Sequence, residues 1–504
     1  MTPAMGSLAS RSLDAVFWSA GGAVLRLSMQ VGTQIALARL LGPAEYGVFA
    51  IAVTVIGFTA FFSDVGIAYG LIQKSTVDEC DIRFVFTWQV VLGVLTTGLI
   101  YLGSSTIAEF FGEPRAGTIV QVLSTLCLIN ALTAPSLNLL KRQIDFKTIQ
   151  IAHLTSYFIG YLLVGIPMAL RGWQVWALVA AWMVQATING VLLYRATRHP
   201  IEPLFWYSEA RQQSSYGITV FVTNVVNWAV ANIDRVIIAR AFGSREIGLY
   251  ATSFNLLHSP TANVLGVLQP VFFSASARIA DDELRILGGY KMLLAAWSLL
   301  LLPVFVAVAC VAETLVGAFY GAAWHEAAAL CRPLALAMPM VLLFGLTTPL
   351  FWTSGQAIRE FQLQAPMALL WAAACGWAAT HSVVHVAWVV FALYALRCTV
   401  IVGMAIRSMD ISLTEVWRSV RGGVLVSGLV AGSLIAADQS LADVPAWLRL
   451  TLDATVCFTV WLIALRLVRG LLAPELANLF ERILSKLPAP LARQLAFLGR
   501  GGPR

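Results

Sequence analysis

Blocks of about 20 hydrophobic residues recur along the whole chain, and short polar stretches separate them. A block of that length crosses a bilayer as an α-helix, whereas a strand of a membrane β-barrel alternates in polarity over about ten residues. We therefore predict an all-α membrane bundle of about fourteen transmembrane helices. The predicted spans are 15–38, 45–71, 84–110, 117–139, 148–170, 173–195, 216–240, 246–272, 290–312, 327–352, 361–380, 383–406, 421–437 and 446–468.

The composition agrees with this pattern. Of the 504 residues, 59% are hydrophobic and 12% are charged, whereas about a quarter of the residues in soluble domains are charged. The net charge of +7 comes from basic residues dispersed between the spans, so we expect no nucleic-acid partner. The seven cysteines form no CxxC motif, and we predict neither a metal nor any other cofactor.

The distribution of basic residues predicts the orientation in the membrane. With the spans above, 23 of the 33 Lys and Arg residues fall on the side of the N-terminus and 7 on the other side. Cytoplasmic loops carry the excess of positive charge, so both termini are predicted to be cytoplasmic.

A repeat divides the chain. The segment ARLLGPAEYGVFA at 38–50 returns as ARAFGSREIGLYA at 239–251, with six identical residues in register. Such a parallel duplication is common in secondary transporters and predicts a central site between the halves. We predict an N-terminal six-helix bundle at 1–195, a cytoplasmic linker at 196–215, a second six-helix bundle at 216–406, an extra helix pair at 407–470 and a cytoplasmic amphipathic tail at 471–504.

Polar residues gather on one face of the first and seventh spans. At about 100° per residue, one face of the seventh span carries a cluster of polar side chains, and the first span has a similar stripe. A charge inside a membrane is costly unless it faces water, protein or a charged ligand, so both helices are predicted to line a polar cavity. The cavity candidates on these two spans are Arg26, Gln30, Gln34, Asn224, Asn227 and Arg235, with Asp234 as an ion-coupling candidate.

Four further polar residues are candidates, and each has a structural alternative. His153 and Tyr157 are placed in the cavity by their spacing of four residues, although such a stripe also suits packing. Arg397 either contacts substrate or reaches toward the cytoplasm, and Asp64 either couples an ion or pairs with a loop lysine.

The two central arginines have alternatives as well. Arg26 could instead extend to the membrane surface, and Arg235 could form a closed salt bridge with Asp234 or Asp64. The helical wheel leaves open which of Asp234 and Arg235 faces the cavity.

Nothing in the chain indicates catalysis. The sequence contains no GxxxxGK[ST], HExxH or GxSxG motif. No outer loop exceeds about fifteen residues, which is too short for the catalytic loop expected of a membrane glycosyltransferase or polymerase. We predict that the protein is not an enzyme.

The segments ARLLGPAEYGVFAIA and NIDRVIIARAFGSREIGLYATS resemble the polysaccharide flippases of the multidrug/oligosaccharidyl-lipid/polysaccharide exporter superfamily, particularly the bacterial O-antigen and exopolysaccharide transporters. The resemblance implies two six-helix bundles around a cavity that opens alternately to each side of the bacterial inner membrane. It also implies a polyprenyl-pyrophosphate-linked oligosaccharide as substrate, moved to the periplasmic leaflet without ATP hydrolysis. A polysaccharide polymerase and glycosyltransferases are the implied partners, besides membrane lipid.

This resemblance suits the polar residues of the predicted cavity. Arg26 and Arg235 match the anionic pyrophosphate, and the amides of the same helices match sugar hydroxyls. Two alternatives remain at this point: a cation-coupled multidrug exporter of the same superfamily, and a polysaccharide polymerase or ligase. The central arginines disfavour cationic drugs, and the short outer loops disfavour an enzyme.

Overall fold

The computed structural model describes residues 5–63, 71, 77–207, 210–278, 283–353, 357–440 and 444–467. Within these ranges the regular elements are helices, which confirms the all-α class. They are α1 (Met5–Ser63), α2 (Glu79–Phe111), α3 (Pro114–Arg142), α4 (Phe146–Leu170), α5 (Val175–Thr197), α6 (Ala210–Phe242), α7 (Ser244–Arg278), α8 (Glu283–Cys310), α9 (Ala312–Phe319), α10 (Ala327–Thr353), α11 (Ala357–Ala378), α12 (Val383–Ser408), α13 (Leu413–Ser440) and α14 (Ala446–Leu467).

Over the residues that the structure describes, each predicted span falls on one of these helices. Among the described residues, ten helices are long and apolar enough to cross a membrane, and α1 counts once although it holds the first two predicted spans. The other predicted spans lie on α6, α7 and α11, and α6 carries Asp234, Arg235 and Arg240 within its last nine residues. The count of fourteen spans stays a prediction.

The chain forms two compact units. Unit 1 comprises Met1–Thr252 and Gln364–Val383, and unit 2 comprises Ser253–Leu363 and Val384–Arg504. The predicted division into two six-helix bundles, a linker, an extra pair and a tail stays a prediction, and the tail lies outside the described residues.

In unit 1, α1 packs against α4 and α5. Leu37 of α1 is buried with Ala169 of α4 and Leu178 of α5. A Cβ atom on Gly160 would lie 2.6 Å from the carbonyl oxygen of Ala181, so only glycine lets α4 approach α5 this closely. This packing fixes the polar face of α1 against α4.

The segment after α5 lies on the start of α2. The indole Nε1 of Trp88 donates to the carbonyl of Phe205 at 3.0 Å, and the amide of Leu204 donates to Thr87 Oγ1 at 2.8 Å. Trp206 stays 66% exposed. Exposed aromatic rings of this kind are typical of the membrane–water interface.

In unit 2, the helices of the predicted extra pair pack on α8. Leu299 of α8, Val430 of α13 and Leu465 of α14 share one buried cluster. A Cβ atom on Gly423 would lie 2.2 Å from the carbonyl oxygen of Ser298, so α13 crosses α8 in backbone contact. The extra pair is therefore integral to this unit.

Candidate functional site

Both copies of the repeat turn at a left-handed glycine. Gly42 divides α1 with φ +78°, and Gly243 joins α6 to α7 with φ +83°. Any other residue would be strained in this backbone conformation. The equivalent glycines of the two segments thus make equivalent turns.

The two turns also pack directly against each other within unit 1. A Cβ atom on Gly47 would lie 1.5 Å from the carbonyl oxygen of Ser244, and one on Gly248 would lie 1.9 Å from the carbonyl oxygen of Pro43. The offset of 201 residues relates Gly47 to Gly248 and Pro43 to Ser244, so the two contacts are equivalent. We call residues 42–48 and 243–249 the paired turns. Their contact is pseudo-symmetric and requires glycine on both sides.

Glu45 connects the first turn to neighbouring helices. Its two carboxylate oxygens accept from Nη2 of Arg115 at 2.7 Å each, and Oε2 also accepts from the amide of Val175 at 2.9 Å. Its counterpart Glu246 pairs instead with the adjacent Arg245 at 3.3 Å. The first turn is thereby tied to the starts of α3 and α5.

The polar face of α1 meets α4. Thr33 Oγ1 and the Tyr157 hydroxyl share a hydrogen bond, and the rings of Tyr157 and Tyr161 stack with centroids 4.5 Å apart. One turn before Arg26 and His153, α1 and α4 also approach closely, because a Cβ atom on Gly22 would lie 3.0 Å from Oε1 of Gln150. The structure thus brings three predicted site residues, Arg26, His153 and Tyr157, to one helix interface. A π-helical segment, Phe158–Gly165, follows Tyr157 directly, and such segments are frequent at functional sites.

The end of the same polar face reaches α7. Gln34 Nε2 donates to the carbonyl of Thr252 at 3.1 Å, which joins the first copy of the repeat to the second. Gln30, one turn earlier on α1, is half-buried.

On α6 the acid and the base have different surroundings. Asp234 is 3% exposed, and its Oδ2 accepts a hydrogen bond from the fully buried hydroxyl of Tyr250. Among the described residues its Oδ1 has no hydrogen-bond partner. Arg235 is only half-buried. Asp234 therefore points at α7, which is a detail that the helical wheel left open.

Four candidates remain: Arg397, Asn227, Asn224 and Asp64. Arg397 belongs to unit 2, where its guanidinium lies 4.4 Å from the centre of the Phe344 ring. Asn227 is exposed. The side chain of Asn224 and all of Asp64 lie outside the described residues. In the ranges that the structure describes, no three His, Cys, Asp or Glu side chains are grouped to hold a metal ion.

Tyr250 was missed from the sequence, although the repeat contains a signal for it. At the offset of 201 residues, Asp234 replaces Thr33 and Tyr250 replaces Phe49. The second copy thus gains a buried acid and a hydroxyl donor together. A buried carboxylate needs such a donor, so two joint departures from the repeat indicate a contact.

Comparisons with known proteins agree with this architecture. A profile described as "Polysaccharide biosynthesis protein" matches residues 36–329. The chain is 19% identical to lipopolysaccharide biosynthesis protein WzxC of Escherichia coli K12 over 64% of its own length and 65% of that protein. It is 22% identical to succinoglycan biosynthesis transport protein ExoT of Rhizobium meliloti 1021, over 62% of its own length and 63% of ExoT. The alignments thus span somewhat less than two thirds of these relatives.

A solved structure covers more of the chain. The inward closed conformation of the lipid II flippase MurJ superposes with a TM-score of 0.69 at 12% identity, over 94% of this chain and 99% of MurJ. At this identity the likeness establishes the fold, which is that of a multi-pass membrane transporter. Because the profile covers more than half of the chain, including the first turn and the second repeat segment, the chain belongs to the polysaccharide biosynthesis protein family.

Proposed function

We propose that this protein is a flippase that moves a polyprenyl-pyrophosphate-linked oligosaccharide from the cytoplasmic to the periplasmic leaflet of the bacterial inner membrane. Transport proceeds by alternating access, without ATP hydrolysis or other catalysis. The names of ExoT, a transport protein, and MurJ, a lipid II flippase, support this class of function. A polymerase and glycosyltransferases act on the same glycan.

The depths of the two central arginines are the observation that carries the proposal. Arg26 precedes the turn at Gly42 by 16 residues, and Arg235 precedes the turn at Gly243 by 8. At 1.5 Å per residue these intervals are about 24 Å and about 12 Å of helix. Because the two turns are in contact, they give both helices a common reference level.

Two cations at staggered depths suit an anion that travels along the bundle axis. A pyrophosphate leaving Arg26 would meet Arg235 about 12 Å nearer to the turns, and guanidinium groups bind phosphate in bidentate geometry. Gln30 and Asn227 belong to the same two helices, and in this scheme their amides exchange hydrogen bonds with sugar hydroxyls, whereas Gln34 would first have to release the carbonyl of Thr252. In this scheme Asp234 serves ion coupling only if Tyr250 releases it.

The charge distribution also orients the protein. With both termini cytoplasmic, the paired turns lie on the periplasmic side. Their backbone contact closes that side, so the outward-open state requires the turns to separate. A cation-coupled multidrug exporter is the second candidate function, but cationic substrates would be repelled by Arg26 and Arg235.

The test replaces each central arginine in cells that depend on this protein for their surface polysaccharide. Arg26→Ala and Arg235→Ala are expected to abolish polysaccharide export at normal membrane abundance, because the pyrophosphate loses its cationic partners. Arg26→Lys and Arg235→Lys should retain part of it, since lysine keeps the charge and loses the bidentate geometry.

Arg171→Ala, at an exposed residue in the α4–α5 turn, is the matched control and should export normally. Normal surface polysaccharide from both alanine variants would refute the assignment of the arginines. Drug sensitivity without a polysaccharide defect in the deletion strain would favour the multidrug exporter instead.

A further inference from the structure

A long apolar groove runs along one side of unit 1. Its volume is ≈ 1030 Å³, and it is lined by the second arm of α1, by α2 and by α6. Representative lining residues are Thr54, Phe58, Leu99, Phe110, Trp228 and Val236. We call it the side groove. Leu99 is 75% exposed, so the groove is open to the surroundings of the helices along its length.

Two of the hydroxyl groups in the wall of the side groove, those of Thr54 and Thr59, are hydrogen-bonded within α1. The Thr54 hydroxyl donates to the carbonyl of Ala50 at 2.8 Å, and the Thr59 hydroxyl donates to the carbonyl of Val55 at 3.0 Å. Both hydroxyls are satisfied within α1 and need no further partner. The groove therefore suits a hydrocarbon and offers little to a sugar.

The length of the side groove identifies the kind of hydrocarbon. Its lining residues on α2 extend from Leu92 to Phe111, which at 1.5 Å per residue is about 28 Å. The hydrocarbon core of a bilayer is about 30 Å thick, so a phospholipid chain confined to one leaflet would fill only about half of this length. A chain that is much longer than an acyl chain matches the whole groove.

One end of the side groove is cationic. The guanidinium of Arg240 lies 5.7 Å from the centre of the Phe110 ring, at the end where α2 finishes. Arg240 follows Ile233 and Val236 by seven and four residues, so it shares the α6 face that lines the groove. It is exposed and makes no ion pair with any described residue. Its charge is therefore available to an anion at the mouth of the groove.

We propose that the side groove binds the polyprenyl chain of the lipid-linked oligosaccharide, with the phosphate nearest the chain against Arg240. This inference rests on the proposed function and assigns the substrate a second site, distinct from the arginine-lined cavity. The chain stays in the side groove through the crossing, and Arg240 receives the phosphate at the periplasmic end. Length and charge together select a prenyl phosphate over a bilayer phospholipid.

Photocrosslinking in the full-length protein tests this assignment directly. The purified protein carries a benzophenone through Leu99→p-benzoyl-Phe and is placed in phosphatidylethanolamine–phosphatidylglycerol vesicles containing a tritiated long-chain polyprenyl phosphate. The control is Leu102→p-benzoyl-Phe, because Leu102 is on the same helix, is 80% exposed and does not line the groove. We expect several-fold more label at position 99, which excess unlabelled polyprenyl phosphate removes. Equal labelling at both positions, or label that resists competition, would overturn the inference.

A pair of glycines on α2 supplies a second test. Gly103 lines the side groove and Gly98 does not, and a Cβ atom would meet nothing within 4 Å at either residue. The Cβ atom introduced by Gly103→Phe therefore enters open space in the wall of the groove, and the variant should lower both crosslinking at position 99 and polysaccharide export several-fold. Gly98→Phe should leave both unchanged. Arg240→Gln should lower labelling by the polyprenyl phosphate and spare labelling by the corresponding polyprenol.

The outcomes separate the groove from the proposed function. Normal export by Gly103→Phe, in a strain where Arg26→Ala abolishes export, would refute the proposal for the side groove and leave the proposed flippase function standing. Crosslinking at position 99 that unlabelled polyprenyl phosphate abolishes, for a protein whose deletion leaves surface polysaccharide unchanged, would support a prenyl-phosphate site. It would also refute the proposed flippase function.

Discussion

Asp234 and Tyr250 form a buried pair that exists only in the second copy of the repeat. In the first copy the same positions hold Thr33 and Phe49, and Thr33 bonds to Tyr157 of α4 instead. The polar faces of α1 and α6 are therefore satisfied by different neighbours. The arginines are asymmetric in the same way, because Arg26 corresponds to Asn227 and Arg235 corresponds to Gln34.

At this scale we predict that Tyr250→Phe lowers the melting temperature of the detergent-purified protein. The substitution removes the donor from a carboxylate that is 3% exposed, and an unsatisfied buried acceptor costs on the order of 1–3 kcal/mol. Tyr101→Phe, at a residue that is 53% exposed, is the control and should melt as the parent does. The double variant Asp234→Thr with Tyr250→Phe restores the residue types of the first copy and should recover part of the loss. An unchanged melting temperature for Tyr250→Phe would show that the pair does not stabilise the fold.

Residue-level contacts were the hardest part to predict from the sequence. The helical wheel placed Arg26, Gln34 and Arg235 on polar faces, but which side chain meets which neighbour depends on how each helix is rotated against the next. The hydrophobic period and the length of a helix carry no information about that rotation. The repeat does carry some, since the joint change to Asp234 and Tyr250 is visible in the two aligned segments.

At the scale of elements, the paired turns make the shortest glycine contacts among the residues that the structure describes. Gly47→Ala and Gly248→Ala would each place a methyl group less than 2 Å from a backbone carbonyl oxygen of the other turn. The turns must therefore separate to accommodate it. We predict that a cysteine introduced by Ser244→Cys then reacts faster with a membrane-impermeant maleimide added outside the cell. Gly32→Ala, also on α1 but with nothing within 4 Å of its Cβ, should leave the reaction unchanged. Equal reactivity in all variants would contradict a closed periplasmic contact.

The crossing of α13 over α8 gives a second prediction at this scale. Gly423→Ala is expected to lower protein abundance and melting temperature, because its methyl group would overlap the backbone of Ser298, and overpacking of this kind costs about 1–3 kcal/mol. Gly428→Ala on the same helix meets nothing within 4 Å and is the control. A fully stable Gly423→Ala protein would mean that the extra pair packs loosely on α8.

Helices themselves were predictable, because hydrophobic length alone locates them. The kink at Gly42 and the turn at Gly243 also follow from the repeated glycine motif. The contact between the two turns does not follow, since no local pattern reports that segments about 200 residues apart meet. The π-helical segment after Tyr157 was missed because its residues are as apolar as those of the α-helix around it.

For the whole molecule, the positive-inside asymmetry predicts an even number of crossings. We expect alkaline phosphatase fused after residue 467 to be inactive, since alkaline phosphatase folds only outside the cytoplasm. A green fluorescent protein at the same position should fluoresce. Alkaline phosphatase fused after residue 111, at the end of α2, should be active. Activity at position 467 would mean that the number of spans is odd.

The family and the fold class were within reach of the sequence at this scale, because both depend on features that persist through the chain: apolar blocks, short loops and the repeated turn. The side groove was not. It is formed where three helices leave space between them. Its lining residues are apolar, and in the sequence they cannot be distinguished from residues that face lipid.

The paired turns also impose an order on biogenesis. The first turn leaves the ribosome early, yet the carbonyl that Gly47 contacts belongs to Ser244, so the contact cannot form until some 200 further residues have been made and inserted. Closing so long a loop costs little more entropy than closing a loop half as long, because that cost grows only logarithmically with length. Until then Gly47 lacks the backbone partner that it has in the folded chain. The second copy of the motif supplies this partner, so a late segment of the chain completes the packing of an early one.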